Sequence, residues 1–278
     1  MAWSNSMKIG VLGLGHMGLP IARTLHDRDH EVFSWSRTSS DYPWLHSTDL
    51  ETISRHTLDS LIIASGSARP GFGDLASEIH STINLIPDSL RYEDTKVFYL
   101  SSGAVYGECP TPRSEKDQIA PSTVYGKSKA TVEKAFKEMF LDRVTSLRIG
   151  NVIDWEHPYG ILAIAQGAKE TGSIDFFGTP EDCRDYLEIN ELCLMVSKIT
   201  ELNLREEIVN LGSGVSIALS ELAETLTNLL PDLKVRWNSP RNSDVSKTQL
   251  DTTKVQNITT TAPKDPRLAL MQYFQQAI

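Results

Sequence analysis

Three side chains that can move a proton at an alcohol lie close together in the sequence: Ser102, Tyr125 and Lys129. Tyr125 and Lys129 are four residues apart in a helical pattern, so both lie on one helix face about one turn apart. A neighbouring ammonium favours the phenolate and lowers the pKa of a tyrosine from its ordinary value of about 10. Ser102 ends an apolar strand and can donate a hydrogen bond to the same substrate oxygen. The set predicts removal or addition of an alcohol proton.

Each of these motifs also occurs in proteins that have no such chemistry. A Tyr-x-x-x-Lys pair is common on solvated helix faces, and Ser-Ser-Gly is common in turns. In this chain both motifs lie downstream of a glycine-rich loop, and the serine follows an apolar strand. This combination favours the catalytic interpretation.

The glycine-rich loop, Gly13-Leu-Gly15-His-Met-Gly18, stands between an apolar strand and a helix. The first glycine permits a tight turn, the second lets backbone approach a pyrophosphate, and the third lets helix and strand pack closely. The helix N-terminus adds amide donors and a positive dipole end. We therefore expect Gly13, Gly15, His16, Met17 and Gly18 to bind a dinucleotide cofactor.

The end of the second strand bears on the choice between NAD and NADP. A carboxylate there would bind the adenine ribose and favour NAD, but this chain has Ser36, Arg37 and Thr38, and the next acid is Asp41. A guanidinium flanked by hydroxyls suits the 2′-phosphate of NADP. We expect these three residues to bind NADP, with NAD as a possible cofactor and an exposed loop arginine as the alternative.

Short apolar strands alternate with helical segments through the first half of the chain. The predicted strands are Met7–Leu12, Glu31–Trp35, Ser60–Ala64, Val97–Leu100, Val144–Ile149 and, later, Ile208–Leu211. The predicted helices among them are Met17–Asp27, Asp74–Ile86 and Val124–Phe140. The pattern predicts an α/β fold with a doubly wound parallel sheet (Rossmann) covered on both faces.

The pattern changes after the fifth strand. We expect a dinucleotide-binding Rossmann domain in residues 1–152, to which 186–213 returns, and a small C-terminal substrate-binding cap in 153–185 and 214–278. Leu219–Leu230 is an amphipathic helix with Ser220 as a plausible N-cap. We expect the polar tail from Pro231 to be strand-poor until a last helix at Arg267–Gln276.

Composition limits the class of partner. The chain has 278 residues, 40% of them hydrophobic, and a net charge of −9, which argues against a general nucleic-acid or anionic-membrane partner. No apolar stretch reaches the length of a membrane span. Seven scattered histidines and the cysteines Cys109, Cys183 and Cys193 show no metal-ligand spacing. We expect no metal site, reduced thiols and a cytoplasmic location.

At this point the chain resembles the extended short-chain dehydrogenase/reductases, the group of nucleotide-sugar epimerases and dehydratases, over nearly its whole length. The segments that carry the resemblance are Ser101–Gly107, Pro121–Lys129, Leu147–Val152, Arg184–Asn190 and Val209–Gly214. The resemblance implies that Tyr125 is the catalytic acid/base, Lys129 its activator and a ligand of the nicotinamide ribose, and Ser102 the third member. It also implies a homodimer through the second and third predicted helices.

Two further residues are candidates for substrate contacts. Arg184 could pair with a substrate diphosphate, because a guanidinium binds phosphate bidentately; a surface ion pair with Asp182 or Asp185 is the alternative. Asn151 could orient the substrate, although an asparagine after a strand is often a turn residue.

The chain departs from the family pattern at three places, so it resembles an atypical member. Its glycine loop has the narrower first spacing seen in hydroxyacid dehydrogenases. The family often has an Ala-Ala pair near the cofactor, where this chain has Ala64-Ser-Gly66; we expect Ala64 to contact the cofactor. The Asp-Glu pair of family dehydratases is replaced by Gly103 and Ala104, so we expect no 4,6-dehydration.

The residues and the resemblance together predict an NAD(P)-dependent epimerase or reductase that acts on a nucleotide-linked sugar or a related hydroxyl or keto compound. Epimerisation through a transient ketone and simple ketone/alcohol redox both need only Ser102, Tyr125, Lys129 and the cofactor. Two alternatives stay open: an enzyme like the hydroxyacid dehydrogenases, which would have an all-helical C-terminal domain, and a non-catalytic NADP-sensing protein.

Overall fold

The computed structural model describes residues 6–35, 42, 45–47, 57–66, 79–80, 82–86, 94–108, 111–202, 204–241 and 246–277. The chain divides into two compact units, each built from three stretches of sequence. The first unit consists of Met1–Ser102, Lys127–Arg148 and Cys193–Val209. The second unit consists of Gly103–Gly126, Ile149–Leu192 and Asn210–Ile278.

The strands of the described residues are β1 (Lys8–Leu12), β2 (Glu31–Trp35), β3 (His46–Ser47), β4 (Ser60–Ile63), β5 (Lys96–Ser102), β6 (Val144–Ile149), β7 (Asn151–Ile153), β8 (Ser173–Phe177), β9 (Cys183–Glu188), β10 (Glu207–Leu211), β11 (Ser216–Ala218) and β12 (Lys234–Asn238). Seven of them form one sheet in the order β10-β6-β5-β4-β1-β2-β3. β1 pairs in parallel with β2 and β4, β2 with β3, and β4 with β5. The chain runs outward from β1 in both directions, which confirms the predicted doubly wound α/β architecture.

The helices of the described residues are α1 (Gly18–His26), α2 (Val124–Phe140), α3 (Ile161–Thr171), α4 (Ile189–Glu201), α5 (Leu219–Leu229), α6 (Thr253–Thr259) and α7 (Pro266–Ala277). Two short 3-10 helices, Gly103–Tyr106 and Leu141–Arg143, precede and follow α2. In α1 the buried side chains recur at helical spacing, at Ile21, Ala22 and Leu25. This apolar stripe buries one face of the helix.

The core of the first unit lies where α2 meets the sheet. The side chains of Leu61, Ile62 and Ile63 in β4 are fully buried, as expected for a strand with both faces covered. Tyr99 of β5 packs edge-on against Phe136 of α2, with ring centroids 5.1 Å apart. Aromatic contacts of this kind add to the free energy gained by burying the rings.

The second unit has its own core and two small sheets. β7, β9 and β11 form a three-stranded sheet in the order β11-β9-β7, and β8 pairs in parallel with β12. The core includes Leu162 of α3, Leu226 of α5 and Phe274 of α7, all almost completely buried. Apolar side chains from three helices therefore hold this unit together.

The structure corrects two details of the second half. The tail was expected to be strand-poor, but it contains β12, whose Arg236 bonds Asp175 of β8 at 3.0 Å. β12 is mostly exposed, so it lacks the buried apolar residues that reveal a strand in sequence. Ser220 is not the N-cap of α5, because the helix already begins at Leu219 and the backbone N–H of Ala218 donates to Glu221.

A buried carboxylate organises the loops of the second unit. Asp185 of β9 is fully buried. Its Oδ1 accepts hydrogen bonds from the backbone and the hydroxyl of Ser213, both at 2.8 Å. Its Oδ2 accepts from the backbone N–H groups of Gly214 and Leu250, both at 3.1 Å. Burial raises the pKa of Asp185, and these hydrogen bonds oppose that shift.

We predict that Asp185→Asn lowers the free energy of unfolding. An amide can accept at only one of its two polar atoms, so buried N–H donors lose their acceptor, at a cost of about 1–3 kcal/mol for each. Urea denaturation measures the loss. Asp175→Asn is the matched control, since Asp175 lies half-exposed on β8 with Arg236 and Asn238 as partners; its effect should be much smaller, because surface substitutions change stability little. Equal stability of the wild type and Asp185→Asn would contradict the role given to Asp185.

Candidate active site

The glycine-rich loop follows β1 and leads into α1. Gly13 has a φ of +95°, and a Cβ there would lie 2.9 Å from the backbone nitrogen of Ser65. A Cβ at Gly18 would lie 1.8 Å from the carbonyl oxygen of Gly13. Neither position can hold a larger residue without displacing backbone, so these two glycines build the turn and the close contact between strand and helix.

Gly15 differs from the other two glycines, because nothing lies within 4 Å of the position of an added Cβ. The folded chain does not need a glycine at this position for its own packing. Open space beside backbone, next to a helix N-terminus, suits a pyrophosphate. His16 and Met17 are half-buried in the same loop. The loop thus fits the dinucleotide predicted from its sequence.

Ala64, also predicted to contact the cofactor, follows β4. Its backbone N–H donates to the carbonyl of Leu12 at 2.9 Å, and its Cβ would be 3.1 Å from a Cβ at Gly18. Ala64 therefore lies against the start of α1. The three residues predicted to read the adenine ribose, Ser36, Arg37 and Thr38, lie outside the described residues.

Tyr125 lies in the first turn of α2. The helix begins at Val124, and the hydroxyl of the preceding Thr123 accepts a hydrogen bond from the backbone N–H of Gly126 at 3.0 Å. A threonine at this position stabilises the first turn of a helix. The side chain of Tyr125 is half-buried. Helix geometry places Lys129 one turn further along the same face.

Lys129 is almost completely buried, with 6% of its surface exposed. Its Nζ donates to the carbonyl of Leu100 in β5 at 3.1 Å and lies 5.1 Å from the centre of the Tyr99 ring. It also lies 3.4 Å from the position of a Cβ on Gly66, in the turn after β4. The first unit therefore brings the ammonium of Lys129 to the carboxyl ends of β4 and β5, where doubly wound sheets bind ligands.

Ser102 is the last residue of β5 and is half-buried. The preceding residue belongs to a network that sequence analysis missed. The hydroxyl of Ser101 donates to Glu133 of α2 at 2.5 Å, and Glu133 forms a buried ion pair with Arg148 of β6 at 2.8 Å. No sequence spacing indicates this set, because its members come from three different elements.

Gly103, which replaces the aspartate of family dehydratases, has little room for a side chain. A Cβ on Gly103 would lie 3.2 Å from Leu250, whose side chain is buried. An aspartate there would need Leu250 to move. That the chain does not catalyse 4,6-dehydration stays a prediction from the sequence.

The two predicted substrate residues lie in the second unit. Asn151 is exposed at the start of β7, and its amide donates to the carbonyl of Asp185 at 3.2 Å. Arg184 of β9 is half-buried, and its Nη1 donates to the carbonyls of Ser246 and Cys183 at 2.7 and 3.0 Å. These hydrogen bonds go to backbone, whereas the surface alternative required an ion pair with a neighbouring aspartate.

A carboxylate near Arg184 was not singled out from the sequence. Glu108 accepts hydrogen bonds from the backbone and hydroxyl of Ser246 and from the backbone of Lys247. Burial raises the pKa of Glu108, but these hydrogen bonds and the charge of Arg184 outweigh it, so the pKa is lowered overall. Glu108 thereby fixes the segment to which Arg184 is bonded.

Arg241, also in the second unit, was given no role by the sequence analysis. Its guanidinium stacks 3.6 Å from the centre of the Phe177 ring, a geometry that favours attraction between the cation and the ring. The sequence could not single out Arg241, because an arginine in a polar tail is usually a surface residue.

The described part of the chain contains no group of three or more His, Cys, Asp or Glu that could hold a metal ion. Cys183 is a half-buried free thiol and Cys193 is buried, while Cys109 lies outside the described residues. Among the helices that the structure describes, none is both long and apolar enough to cross a bilayer.

The different surroundings of the glycines lead to a prediction. Gly15→Ala should leave the melting temperature unchanged, because its Cβ enters open space, but it should weaken dinucleotide binding by about tenfold or more through loss of close backbone approach. Gly18→Ala is the comparison variant for stability. Its Cβ would meet backbone, so this variant should have a lower melting temperature. Thermal melts and calorimetric titration with NADH and NADPH measure both. Undiminished cofactor binding by Gly15→Ala would contradict the role given to this loop.

Comparison with known proteins gives related sequences of similar size. The chain is 28% identical to the dTDP-4-dehydro-6-deoxyglucose reductase of Escherichia coli over an alignment of 215 residues, which covers 70% of this chain and 65% of the reductase. It therefore spans slightly less than two thirds of that relative. It is 25% identical to the UDP-glucose 4-epimerase of Halalkalibacterium halodurans over an alignment of 257 residues, which covers 80% of this chain and 76% of that enzyme.

Solved structures show the same fold. The UDP-glucuronic acid 4-epimerase of Bacillus cereus, in complex with UDP-glucuronic acid and NAD, superposes with a TM-score of 0.83 at 16% identity, covering 98% of this chain and 100% of that chain. At that identity the likeness concerns the fold alone. Family membership rests on sequence: the sequence model of the NAD dependent epimerase/dehydratase family matches residues 9–212. The chain belongs to this family.

Proposed function

We propose that this protein is an NAD(P)-dependent enzyme that oxidises or reduces one carbinol of a nucleotide-linked sugar, as an epimerase or a reductase. The observation that carries the proposal is the position of Lys129, which is buried, held at the carboxyl end of β5 and one helical turn from Tyr125. Burying a charged lysine costs free energy unless the ammonium is hydrogen-bonded or lies near an opposite charge. Stabilising a phenolate on the same helix face would use that charge.

The proposed proton transfer uses three residues. In the oxidative direction the phenolate of Tyr125 accepts the proton of the sugar hydroxyl, while Ser102 donates a hydrogen bond to that oxygen. Lys129 stabilises the phenolate through its positive charge. Gly13, Gly15 and Gly18 would hold the cofactor, and a bound NAD(P) supplies the acceptor, or in reverse the donor, of the hydride on the same carbon.

The fate of the ketone separates the two activities. If the ketone turns its other face before hydride returns, the carbinol is inverted and the enzyme is an epimerase. If the ketone is the substrate and the alcohol leaves, the enzyme is a reductase. Dehydration is not proposed, because Gly103 and Ala104 carry no acid or base and Leu250 occupies the space beside Gly103.

The substrate class is proposed from the relatives and from the chain's own cations. The names of the relatives specify dTDP- and UDP-linked sugars, and in the second unit Arg184 has a guanidinium that could bind a diphosphate. We propose that the second unit binds the substrate, with Asn151 and Arg184 as contacts. A homodimer through α2 stays a prediction from the resemblance; six of the thirteen residues of the other helix expected there, Asp74–Ile86, lie outside the described residues.

The hydroxyacid dehydrogenase alternative is not supported. It requires an all-helical C-terminal domain, whereas the second unit contains β7, β8, β9, β11 and β12. The non-catalytic sensor alternative gives no role to the tyrosine, lysine and serine that the resemblance identifies. The enzyme proposal accounts for all three.

NADP is the proposed preferred cofactor, because Arg37 with Ser36 and Thr38 suits a 2′-phosphate; the family is named as NAD dependent, so NAD is the competing outcome. We predict that the cofactor-stripped protein binds NADPH more tightly than NADH in calorimetric titration. Arg37→Ala should weaken NADPH binding by about tenfold or more, as expected for loss of a charge-assisted hydrogen bond, and leave NADH binding unchanged. Tighter binding of NADH by the wild type would contradict the preference.

The role of Tyr125 is tested by Tyr125→Phe. Removal of the hydroxyl should lower kcat by about a hundredfold or more, since a general acid/base contributes about that much, while cofactor affinity stays within about twofold of the wild type. Turnover is measured with UDP- and dTDP-hexoses and their 4-keto forms by NMR of the sugar product. Undiminished turnover in Tyr125→Phe would remove the proposed mechanism.

A further inference from the structure

The ion pair between Glu133 and Arg148 lies buried in the first unit, on the face of α2 that meets the sheet. The side chains are 9% and 4% exposed. The contact is bidentate, with Nε of Arg148 3.1 Å from Oε1 and Nη2 2.8 Å from Oε2 of Glu133. Ser101 of β5 donates to Oε1 as well. One carboxylate therefore joins α2, β5 and β6.

The contacts of Glu133 lie next to those of Lys129 along both α2 and β5. Residues 129 and 133 are one helical turn apart on α2, and they bond to consecutive residues of β5, the carbonyl of Leu100 and the hydroxyl of Ser101. Ser101 directly precedes Ser102 in the strand. The network thus fixes the helix that carries Lys129 at the strand end that carries Ser102.

Stability alone does not account for this ion pair. Val132, Phe136 and Phe140 already bury the same helix against the sheet, and apolar packing of that kind is non-directional. A buried ion pair is often no more stabilising than apolar side chains of similar volume, because both charges lose their hydration. What a bidentate carboxylate–guanidinium contact adds is direction.

We propose that Glu133 and Arg148, with Ser101, are positioning residues that hold Lys129 and the phenol of Tyr125 in register with Ser102 for proton transfer. This inference rests on the proposed function of those three residues. Arg148 also compensates the charge of Glu133, so a carboxylate one turn away does not cancel the effect of Lys129 on Tyr125. None of the three positioning residues needs to touch substrate or cofactor.

The test replaces the pair by apolar residues of similar volume, as Glu133→Leu/Arg148→Met. Stability should be retained, because apolar replacement of a buried pair is commonly neutral, but the ionisation of Tyr125 should move to higher pH by about one unit as its neighbouring ammonium loses its position. NMR titration of carbon-13-labelled tyrosine, with Tyr125→Phe to assign the signal, measures this without substrate. In the oxidative direction, where the phenolate acts as the base, kcat at neutral pH should fall about tenfold and recover at higher pH, since one pH unit is a tenfold change in phenolate.

The matched control is Arg28→Met/Glu201→Leu, which makes the same substitutions at a half-buried ion pair of the first unit, 2.7 Å long, whose two residues lie outside α2. It should leave the titration of Tyr125 unchanged. An unchanged titration in a folded Glu133→Leu/Arg148→Met variant would overturn the inference. If that variant does not fold, Ser101→Ala carries the test: a smaller shift in the same direction supports the inference, and no shift overturns it.

The same titration separates this inference from the proposed function. A wild-type Tyr125 that ionises like a free tyrosine would contradict the proposed function itself. A wild-type Tyr125 that ionises at lower pH, unaffected by the loss of Glu133 and Arg148, would contradict the positioning role alone.

Discussion

The docking of α2 onto β5 is the contact on which the proposed chemistry depends. The hydrogen bond from Lys129 to the carbonyl of Leu100 sets how far the lysine reaches, and Phe136 against Tyr99 sets the spacing of helix and strand. Because these contacts recur along one face of the helix, a shift of α2 by one residue would break all of them together. A rigid helix can hold a phenol and an ammonium at a fixed separation, which a loop does less well.

In the second unit, buried polar side chains form hydrogen bonds with the backbone of the loops. Asp185 satisfies the backbone N–H groups of Ser213, Gly214 and Leu250. Asn210, also fully buried, donates to the carbonyls of Arg113 and Asp251 and accepts from Tyr106. Loops without a strand partner need such donors and acceptors, because an unpaired buried backbone polar group is costly. The hydrogen bond from the backbone N–H of Leu250 to Asp185 also holds Leu250 beside Gly103.

What the sequence could predict depended on local pattern. β2, β6 and α2 have the bounds predicted for them, because apolar runs and helical periodicity are local signals. The glycine loop was likewise predicted from local features, its spacing and its place between a strand and a helix. The contact of Glu133 with Arg148 and that of Arg184 with Ser246 join residues from separate elements, and composition does not specify such pairs. β12 was missed because its residues are mostly exposed and its partner β8 is distant in sequence.

The most direct test of the central claim is a single-turnover measurement. The protein is loaded with oxidised cofactor and mixed with excess UDP- or dTDP-hexose, and the absorbance of reduced nicotinamide is followed in the wild type and in Tyr125→Phe. We expect reduced cofactor to form in the wild type with at least one sugar nucleotide and not to form in the variant. No reduction with any of them, by a protein that binds the cofactor and the sugar nucleotide, would contradict the claim that this chain couples proton transfer at Tyr125 to hydride transfer.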